Sequence, residues 1–199
     1  MSRNPFRSRV LSAAAAVVAG LLLGAAPASA GADAPCAGQT FEHPFASWDD
    51  HASYVLAPNG SFEAGATGWT LAGGATVGRD EIDGRSALAL PAGSSATSSP
   101  MCIDLDYPTM RFLARNAGAA NSGLSVAVRF RLDDGVWRSL RIAELQAGET
   151  WQPTRVIRVL ANYLAYYSEW DHMVSFRFTP TGDAADWRID GVYVDPYAR

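Results

Sequence analysis

Apolar and polar side chains alternate strictly along several short stretches in the second half of the chain. From residue 124 to residue 132 one parity is apolar and the other is polar or small, and the same pattern recurs over 110–115, 139–142 and 174–179. A period of two places successive side chains on opposite faces of a strand, so each stretch predicts a strand with one buried and one wet face. Such strands are typical of antiparallel sheets.

Shorter candidate strands precede this region, and clusters of Gly, Pro and Ser separate them. In chain order they cover residues 54–57, 69–71, 75–79, 87–90, 96–98 and 102–105. The last candidate strand, 187–194, changes phase at Gly191, because its apolar residues are odd-numbered before the glycine and even-numbered after it. A glycine at such a break predicts a β-bulge.

About ten short strands without alternating helices predict an all-β fold. We expect a two-sheet antiparallel β-sandwich of the jelly-roll type. One stretch has a helical period instead, and it predicts one short helix near residues 160–170. The aromatic residues at that spacing are Tyr163, Tyr166, Tyr167 and Trp170.

The first thirty residues have the pattern of an export signal. Three arginines precede an apolar run over 10–26, and small residues end the segment at Ala30. A retained membrane anchor is the alternative, but the run is short for a full span and its small-residue end favours cleavage. We therefore expect a signal peptide over 1–30, an N-terminal arm over 31–53 and one β-jelly-roll domain over 54–199 in a secreted, extracellular protein.

The charge balance limits the partners of the mature chain. All 16 basic residues are arginine, and the loss of three with the signal leaves 13 against 20 acidic side chains, a net charge of −7. Such an acidic chain is a poor ligand for nucleic acid or an anionic membrane. We expect a monomer that binds neither. The absence of lysine and the high content of Ala, Gly and Arg suggest a high-GC bacterium, an actinobacterium.

Two cysteines in an exported chain most simply form one disulfide. A bond between Cys36 and Cys102 closes a loop of about 66 residues, which would stabilise the fold by at most roughly 4 kcal/mol through the lost entropy of the unfolded chain. Its expected role is to hold the N-terminal arm on a strand. A free reactive thiol is the alternative, and it requires an activating His or Arg neighbour.

No residue set indicates a reaction. The chain lacks a Gly-x-Ser-x-Gly nucleophile motif, and its histidines are His43, His51 and His172. His51 follows Asp49 and Asp50, which suggests either a metal or acid–base cluster or a solvated arm without chemistry. No second histidine lies at a chelating spacing, which favours the solvated arm. The sequence therefore favours a protein that is not an enzyme.

The opening Asn59-Gly-Ser-Phe-Glu-Ala-Gly-Ala-Thr-Gly-Trp69 and the closing Asp186-Trp-Arg-Ile-Asp-Gly-Val-Tyr-Val-Asp-Pro196 resemble the first and last strands of carbohydrate-binding-module jelly rolls, a galactose-binding-like sandwich. The resemblance implies that the two segments lie side by side. It also implies a structural Ca²⁺ held by the positions matched here by Asn59, Glu63 and Asp190. The alternative is that Asn59 only forms a turn and Glu63 only an ion pair.

Sugar binding in this family uses exposed aromatic rings and polar groups. The candidate platforms are Trp48, Trp69, Trp137, Trp151 and the four aromatic residues of 163–170. The opening motif and the parity of the last strand place Trp69 and Trp187 in the core. Trp137 shares parity with polar residues, opposite Leu140 and Ile142, which places a large aromatic ring on a wet face.

Arginines also collect on the predicted wet faces. A guanidinium group binds one carboxylate or phosphate through two parallel hydrogen bonds and stacks on aromatic rings. These arginines are Arg111, Arg115, Arg129, Arg131, Arg141 and Arg177. If their strands adjoin in one sheet, they form an array around Trp137 that suits an acidic or hydroxyl-rich glycan. The alternative is that these arginines pair with Asp133, Asp134 and Glu144 on an ordinary solvated surface.

The leading interpretation is a secreted, non-catalytic module that binds a poly- or oligosaccharide, with calcium as a possible structural cofactor. A secreted structural or adhesion domain that binds proteins is the second interpretation, and a large exposed apolar patch and dimerisation in solution would favour it. A small glycan hydrolase or lyase is the third, and it requires two carboxylates, or an Arg–Tyr pair with a His, that converge in one cleft.

Overall fold

A computed structural model describes residues 36–103, 108–132, 134–160 and 172–196. The predicted export signal over 1–30 and nearly all of the predicted helix near 160–170 lie outside these residues. Within the described part of the chain, no helix is long and apolar enough to span a membrane.

The described residues form thirteen strands and one 3₁₀ turn, Ala46–Trp48. The strands are β1 (Val55–Leu56), β2 (Trp69–Ala72), β3 (Thr76–Arg79), β4 (Ser86–Pro91), β5 (Ser95–Ser98), β6 (Met101–Cys102), β7 (Thr109–Asn116), β8 (Gly123–Arg131), β9 (Trp137–Leu145), β10 (Gln152–Pro153), β11 (Ile157–Arg158), β12 (Met173–Thr181) and β13 (Asp186–Asp195). The all-β prediction is confirmed. The strands without a counterpart among the predicted stretches are β10 and β11, which have only two residues each.

The strands form two antiparallel sheets, as predicted. Sheet 1 has the order β10-β7-β13-β4-β3, with β1 beside β13 and β11 beside β7. Sheet 2 has the order β2-β5-β12-β8-β9, with β6 beside β12. The apolar faces of both sheets share one core, in which Phe112 of β7 meets Phe178 of β12 edge to face, with ring centroids 5.1 Å apart. Burial of these apolar faces is the main stabilising contribution.

Strand β13 joins the opening of the domain to its end. Val55 pairs with Val194, and the amide of Val192 donates to the carbonyl of Gly60 over 3.0 Å. A Cβ atom on Gly60 would lie 2.6 Å from the Val192 carbonyl oxygen, so this close approach requires glycine. The register of β13 against β7 shifts between Asp190 and Tyr193, which confirms the bulge predicted at Gly191.

The N-terminal arm, of which residues 36–53 are described, is fixed to the sandwich. The disulfide between Cys36 and Cys102 is present, as predicted, and ties the arm to β6. Phe45 is fully buried, with its ring centroid 5.2 Å from that of Tyr54 and 5.8 Å from that of Tyr193. Because Tyr193 alternates with the buried Val192 and Val194, the arm covers the outer face of sheet 1 at this point.

Candidate functional site

The six predicted arginines do not lie on one sheet. Arg111 and Arg115 belong to β7 in sheet 1, whereas the other four belong to β8, β9 and β12 in sheet 2. Alternation assigns each residue to a face of its own strand but does not say which sheet the strand joins. The prediction that all six arginines form one array around Trp137 is therefore wrong for Arg111 and Arg115.

Arg111 is engaged by the N-terminal arm. Its guanidinium forms an ion pair with Asp50 and lies 4.9 Å from the ring centroid of Phe45. Asp50 also accepts a hydrogen bond from the Tyr54 hydroxyl at 2.8 Å. Burial raises the pKa of Asp50, but the hydrogen bonds from Arg111 and Tyr54 outweigh burial and leave the pKa below its ordinary value. Arg111 is thus engaged in a structural contact with the arm.

Arg115 is buried in a second ion pair on the same face. Its Nε and Nη2 donate to one carboxylate oxygen of Asp80 over 3.0 and 2.7 Å, and the Asp80 side chain is fully buried. The indole Nε1 of Trp151 donates to the other oxygen over 3.3 Å. Burial raises the pKa of Asp80, and hydrogen bonds from Arg115, the Ile82 amide and Trp151 lower it further than burial raises it. The Arg115 prediction of a wet side chain is wrong because Asp80 and Trp151 cover it.

Neither the role of Asp80 nor the position of Trp151 was predicted from the sequence. Asp80 follows β3 and Trp151 precedes β10, and neither lies in a periodic stretch. The guanidinium of Arg85 lies 4.8 Å from the Trp151 ring centroid and adds to this cover. Together with the arm, these contacts close much of the outer face of sheet 1.

The outer face of sheet 2 holds the remaining predicted residues. Trp137 of β9 is 40 % exposed, which confirms the expected wet position. Its ring centroid lies 5.4 Å from the guanidinium carbon of Arg129 and 6.0 Å from that of Arg131. Both distances are in the range of cation–π contact. The predicted association of Trp137 with arginines therefore holds for these two.

Arg177 and Arg141 lie in the next row of the same face. Arg177 of β12 pairs with Ala127 of β8, and Ala127 pairs with Arg141 of β9. We call the surface made by Trp137 and these four arginines, Arg129, Arg131, Arg141 and Arg177, the arginine face. A cavity of about 400 Å³ lies beside Trp137 and Arg129, with Ser175 and Thr97 among its lining residues.

The carboxylates that could neutralise this face bond to other groups or lie outside the described residues. Asp134 pairs with Arg138, and Glu144 accepts a hydrogen bond from Thr181 over 2.7 Å. Asp133 is outside the described residues. Among the described carboxylates, none forms an ion pair with Arg129, Arg141 or Arg177. The alternative of a fully paired surface therefore does not hold for these three arginines.

The other candidate platforms divide between core and surface. Trp69 and Trp187 are buried, as predicted from the opening motif for Trp69 and from strand parity for Trp187. Trp151 is engaged with Asp80, while Trp48 in the arm is 43 % exposed. The aromatic residues of 163–170 lie outside the described residues.

The predicted calcium ligands have other partners in this structure. The Asn59 amide donates to the carbonyls of Gly65 and Thr67, and its oxygen accepts from the Ala64 amide, so Asn59 shapes a turn. Asp190 accepts hydrogen bonds from its neighbour's amide and, over 3.3 Å, from Arg85.

Glu63, the third predicted ligand, is exposed. No group of three or more His, Cys, Asp or Glu side chains in the described ranges is placed to hold a metal. Calcium binding stays a prediction.

No protein-family model matches this chain, and no curated protein is detectably similar to it. Solved structures of carbohydrate-binding modules are similar in fold. The CBM22-1-CBM22-2 tandem domain of Paenibacillus barcinonensis Xyn10C is 19 % identical, with a TM-score of 0.51 over 72 % of this chain and 45 % of that one.

Two further structures are single modules. The CBM22-1 xylan-binding domain of the same xylanase is 20 % identical, with a TM-score of 0.49 over 67 % of this chain and 89 % of that one. The C-terminal family 22 module of Clostridium thermocellum Xyn10B is 16 % identical, with a TM-score of 0.46 and the same coverage, 67 % and 89 %. At these identities the likeness shows a shared β-sandwich fold and nothing about the ligand.

The pKa of Asp190 predicts a pH-dependent stability. Burial raises this pKa to about 6, against the opposing effect of the Gly191 amide and Arg85. Because the folded state holds the proton more tightly than the unfolded state, the free energy of unfolding falls as pH rises from about 4 to about 6. The Asp190→Asn variant has no carboxylate at this position and does not lose this stability. The difference between its free energy of unfolding and that of the natural protein should therefore rise by about 1 kcal/mol between pH 4 and pH 7, a value reduced for solvent screening.

Urea unfolding at the two pH values measures this difference. Asp183→Asn, which changes an exposed carboxylate in the β12–β13 turn, provides the baseline. A relative stability of Asp190→Asn that is constant or falls from pH 4 to pH 7 would show that Asp190 is not held protonated by burial.

Proposed function

We propose that this chain is exported and that its folded part is a non-catalytic module that binds an acidic glycan through the arginine face. One observation carries the proposal. Trp137 is half exposed beside Arg129 and Arg131 on the outer face of sheet 2. A ring that can stack on a sugar and guanidinium groups that can hold its carboxylate are the groups that an acidic saccharide requires.

The surroundings of Trp137 also support recognition of a saccharide. Serine and threonine side chains line the cavity next to it, among them Thr70, Ser99 and Ser175. Hydroxyl groups donate and accept hydrogen bonds and can satisfy those of a sugar. The cavity, at about 400 Å³, falls in the range of small-molecule sites.

Two further features support export of the protein and its role as a binding module. The disulfide between Cys36 and Cys102 is of the kind that forms and persists in oxidising compartments, which agrees with export. The fold shared with the CBM22 tandem domain agrees with a binding module, although a fold by itself does not specify a function. The ligand class depends on the arginine face.

Charge reversal of the arginine face should abolish binding of an anionic polysaccharide. In the double variant Arg129→Glu and Arg131→Glu, two attractive charges become repulsive, and retention by polygalacturonate in affinity electrophoresis should weaken at least tenfold. Because both side chains lie on the surface side of β8, the melting temperature should change by no more than about 2 °C.

The matched control is Arg79→Glu with Arg155→Glu, which changes net charge equally at exposed positions outside the arginine face. This control should be retained nearly as well as the natural protein. Equal loss in both double variants would mean that only net charge matters, and unchanged retention of the first would end the proposal.

Calcium binding has its own test, independent of the glycan. Titration of the chelator-treated protein with CaCl₂ should give heat and a higher melting temperature, because a ligand bound only by the folded state stabilises it. Since Asp190 is the buried carboxylate of the predicted set, Asp190→Asn should remove both effects. Absence of heat and of any change in melting temperature at millimolar Ca²⁺ would show that the prediction is wrong.

A further inference from the structure

A second cleft lies on the opposite side of the sandwich from the arginine face. It has a volume of about 820 Å³, within the ~300–1,000 Å³ typical of small-molecule sites. The N-terminal arm forms one side, and the ends of β7, β11 and β13 form the other. We call it the arm cleft. Its lining residues are Trp48, Asp49, Asp50, His51, Ala52, Tyr54, Thr109, Arg111, Val156, Arg158 and Asp195.

The polar residues contributed by sheet 1 are neighbours in one row. Thr109 of β7 pairs with Arg158 of β11 on one side and with Asp195 of β13 on the other. Paired residues of antiparallel strands point to the same face, so the three side chains lie together on the outer side. The cleft therefore has a floor made by regular secondary structure.

The side of the cleft that the N-terminal arm forms is also fixed in the free protein. The Cys36–Cys102 disulfide holds the start of the described arm, and the buried Phe45 holds its middle. The ion pair of Asp50 with Arg111, together with the hydrogen bond from Tyr54, anchors the turn that carries Trp48. A preformed cleft loses less conformational freedom when a ligand binds.

Two exposed apolar side chains lie in this cleft. Trp48 is 43 % exposed and Val156 is 48 % exposed, and they are two of only six large apolar residues exposed in the described part of the chain. Exposed apolar surface that is gathered in one polar-rimmed cleft, rather than scattered, is typical of a binding site. The face of a half-exposed indole is a suitable surface for the apolar side of a sugar ring.

Three polar side chains at the cleft have no partner in the part of the chain that the structure describes. Asp49, His51 and Arg158 form no side-chain hydrogen bond or ion pair with any other described residue. Their donors and acceptors are free to bind the hydroxyl groups of a ligand. The cleft as a whole contains three aspartates against two arginines, so it does not attract polyanions.

We propose that the arm cleft is a second binding site, for a neutral, hydroxyl-rich oligosaccharide that stacks on Trp48 and hydrogen-bonds to Asp49, His51 and Arg158. The site differs from the arginine face in charge and in position. The proposal does not depend on acidic-glycan binding by the arginine face, and either site can fail without the other.

Calorimetric titration with neutral hexasaccharides tests the arm cleft. We expect the full-length mature protein to bind at least one of xylohexaose, cellohexaose and mannohexaose. Trp48→Ala should weaken that binding about tenfold or more, because a buried aromatic contact commonly dominates binding energy. Arg158→Gln, which keeps most of the side chain and loses the charge, should weaken it several-fold.

The control variant is Ile82→Ala. Ile82 is the most exposed of the six large apolar residues, and it lies outside both sites. It should bind the hexasaccharide like the natural protein. Trp137→Ala should also keep hexasaccharide binding while it loses retention by polygalacturonate, and Trp48→Ala should show the opposite pattern. No heat with any of the three hexasaccharides, or binding that Trp137→Ala removes and Trp48→Ala leaves intact, would overturn the proposal.

Discussion

The ion pairs made by the two outward-facing arginines of β7 decide which surfaces of this protein are open. Arg111 and Arg115 point away from the core, and each is neutralised by an aspartate from a distant segment, Asp50 in the arm and Asp80 after β3. A charge of this kind, once buried, is costly to leave unpaired. The arm and the β3–β4 turn therefore stay on sheet 1 around these two charges, whereas Arg129, Arg141 and Arg177 on sheet 2 form no ion pair with a described carboxylate.

This asymmetry connects the chemistry of the two candidate sites. On sheet 2, Trp137 and its arginines form a positively charged surface on an acidic protein. On sheet 1, the arm that covers Arg111 brings Trp48 and its polar neighbours to the edge of the covered region. The ion pair that neutralises Arg111 on sheet 1 thus also holds one wall of the arm cleft.

The sequence predicted local features better than long-range ones. The alternation over 124–132 placed the buried and wet faces of β8 correctly, and the phase change at Gly191 located the bulge in β13. Trp137 was correctly placed on a wet face. In β9, however, the register shifts opposite Val126 and Ala127, so the buried residues beyond it are Ala143 and Leu145, which the simple alternation does not predict.

The partners of Arg111 and Arg115 could not be predicted for a related reason. The alternation of apolar and polar residues assigns a side chain to a face of its strand. Ion pairs between residues 35 or 61 positions apart in the sequence depend instead on how the sheets and loops pack. Asp80 lies in a turn and Asp50 in the arm, where no periodicity indicates orientation. The candidate site was therefore predicted correctly where it depends on one strand and its neighbour, and incorrectly where it depends on sheet membership.

Hydroxyl-radical footprinting of the tryptophans in the free protein tests most directly whether the ion pairs cover sheet 1 at Trp151 while Trp137 on sheet 2 stays accessible. Trp137 on sheet 2 should be oxidised several-fold faster than Trp151, whose indole is held by Asp80 and faces Arg85 and Arg115 on sheet 1. The buried Trp187 gives the lower limit of the rate. Oxidation of Trp151 as fast as that of Trp137 would contradict the account.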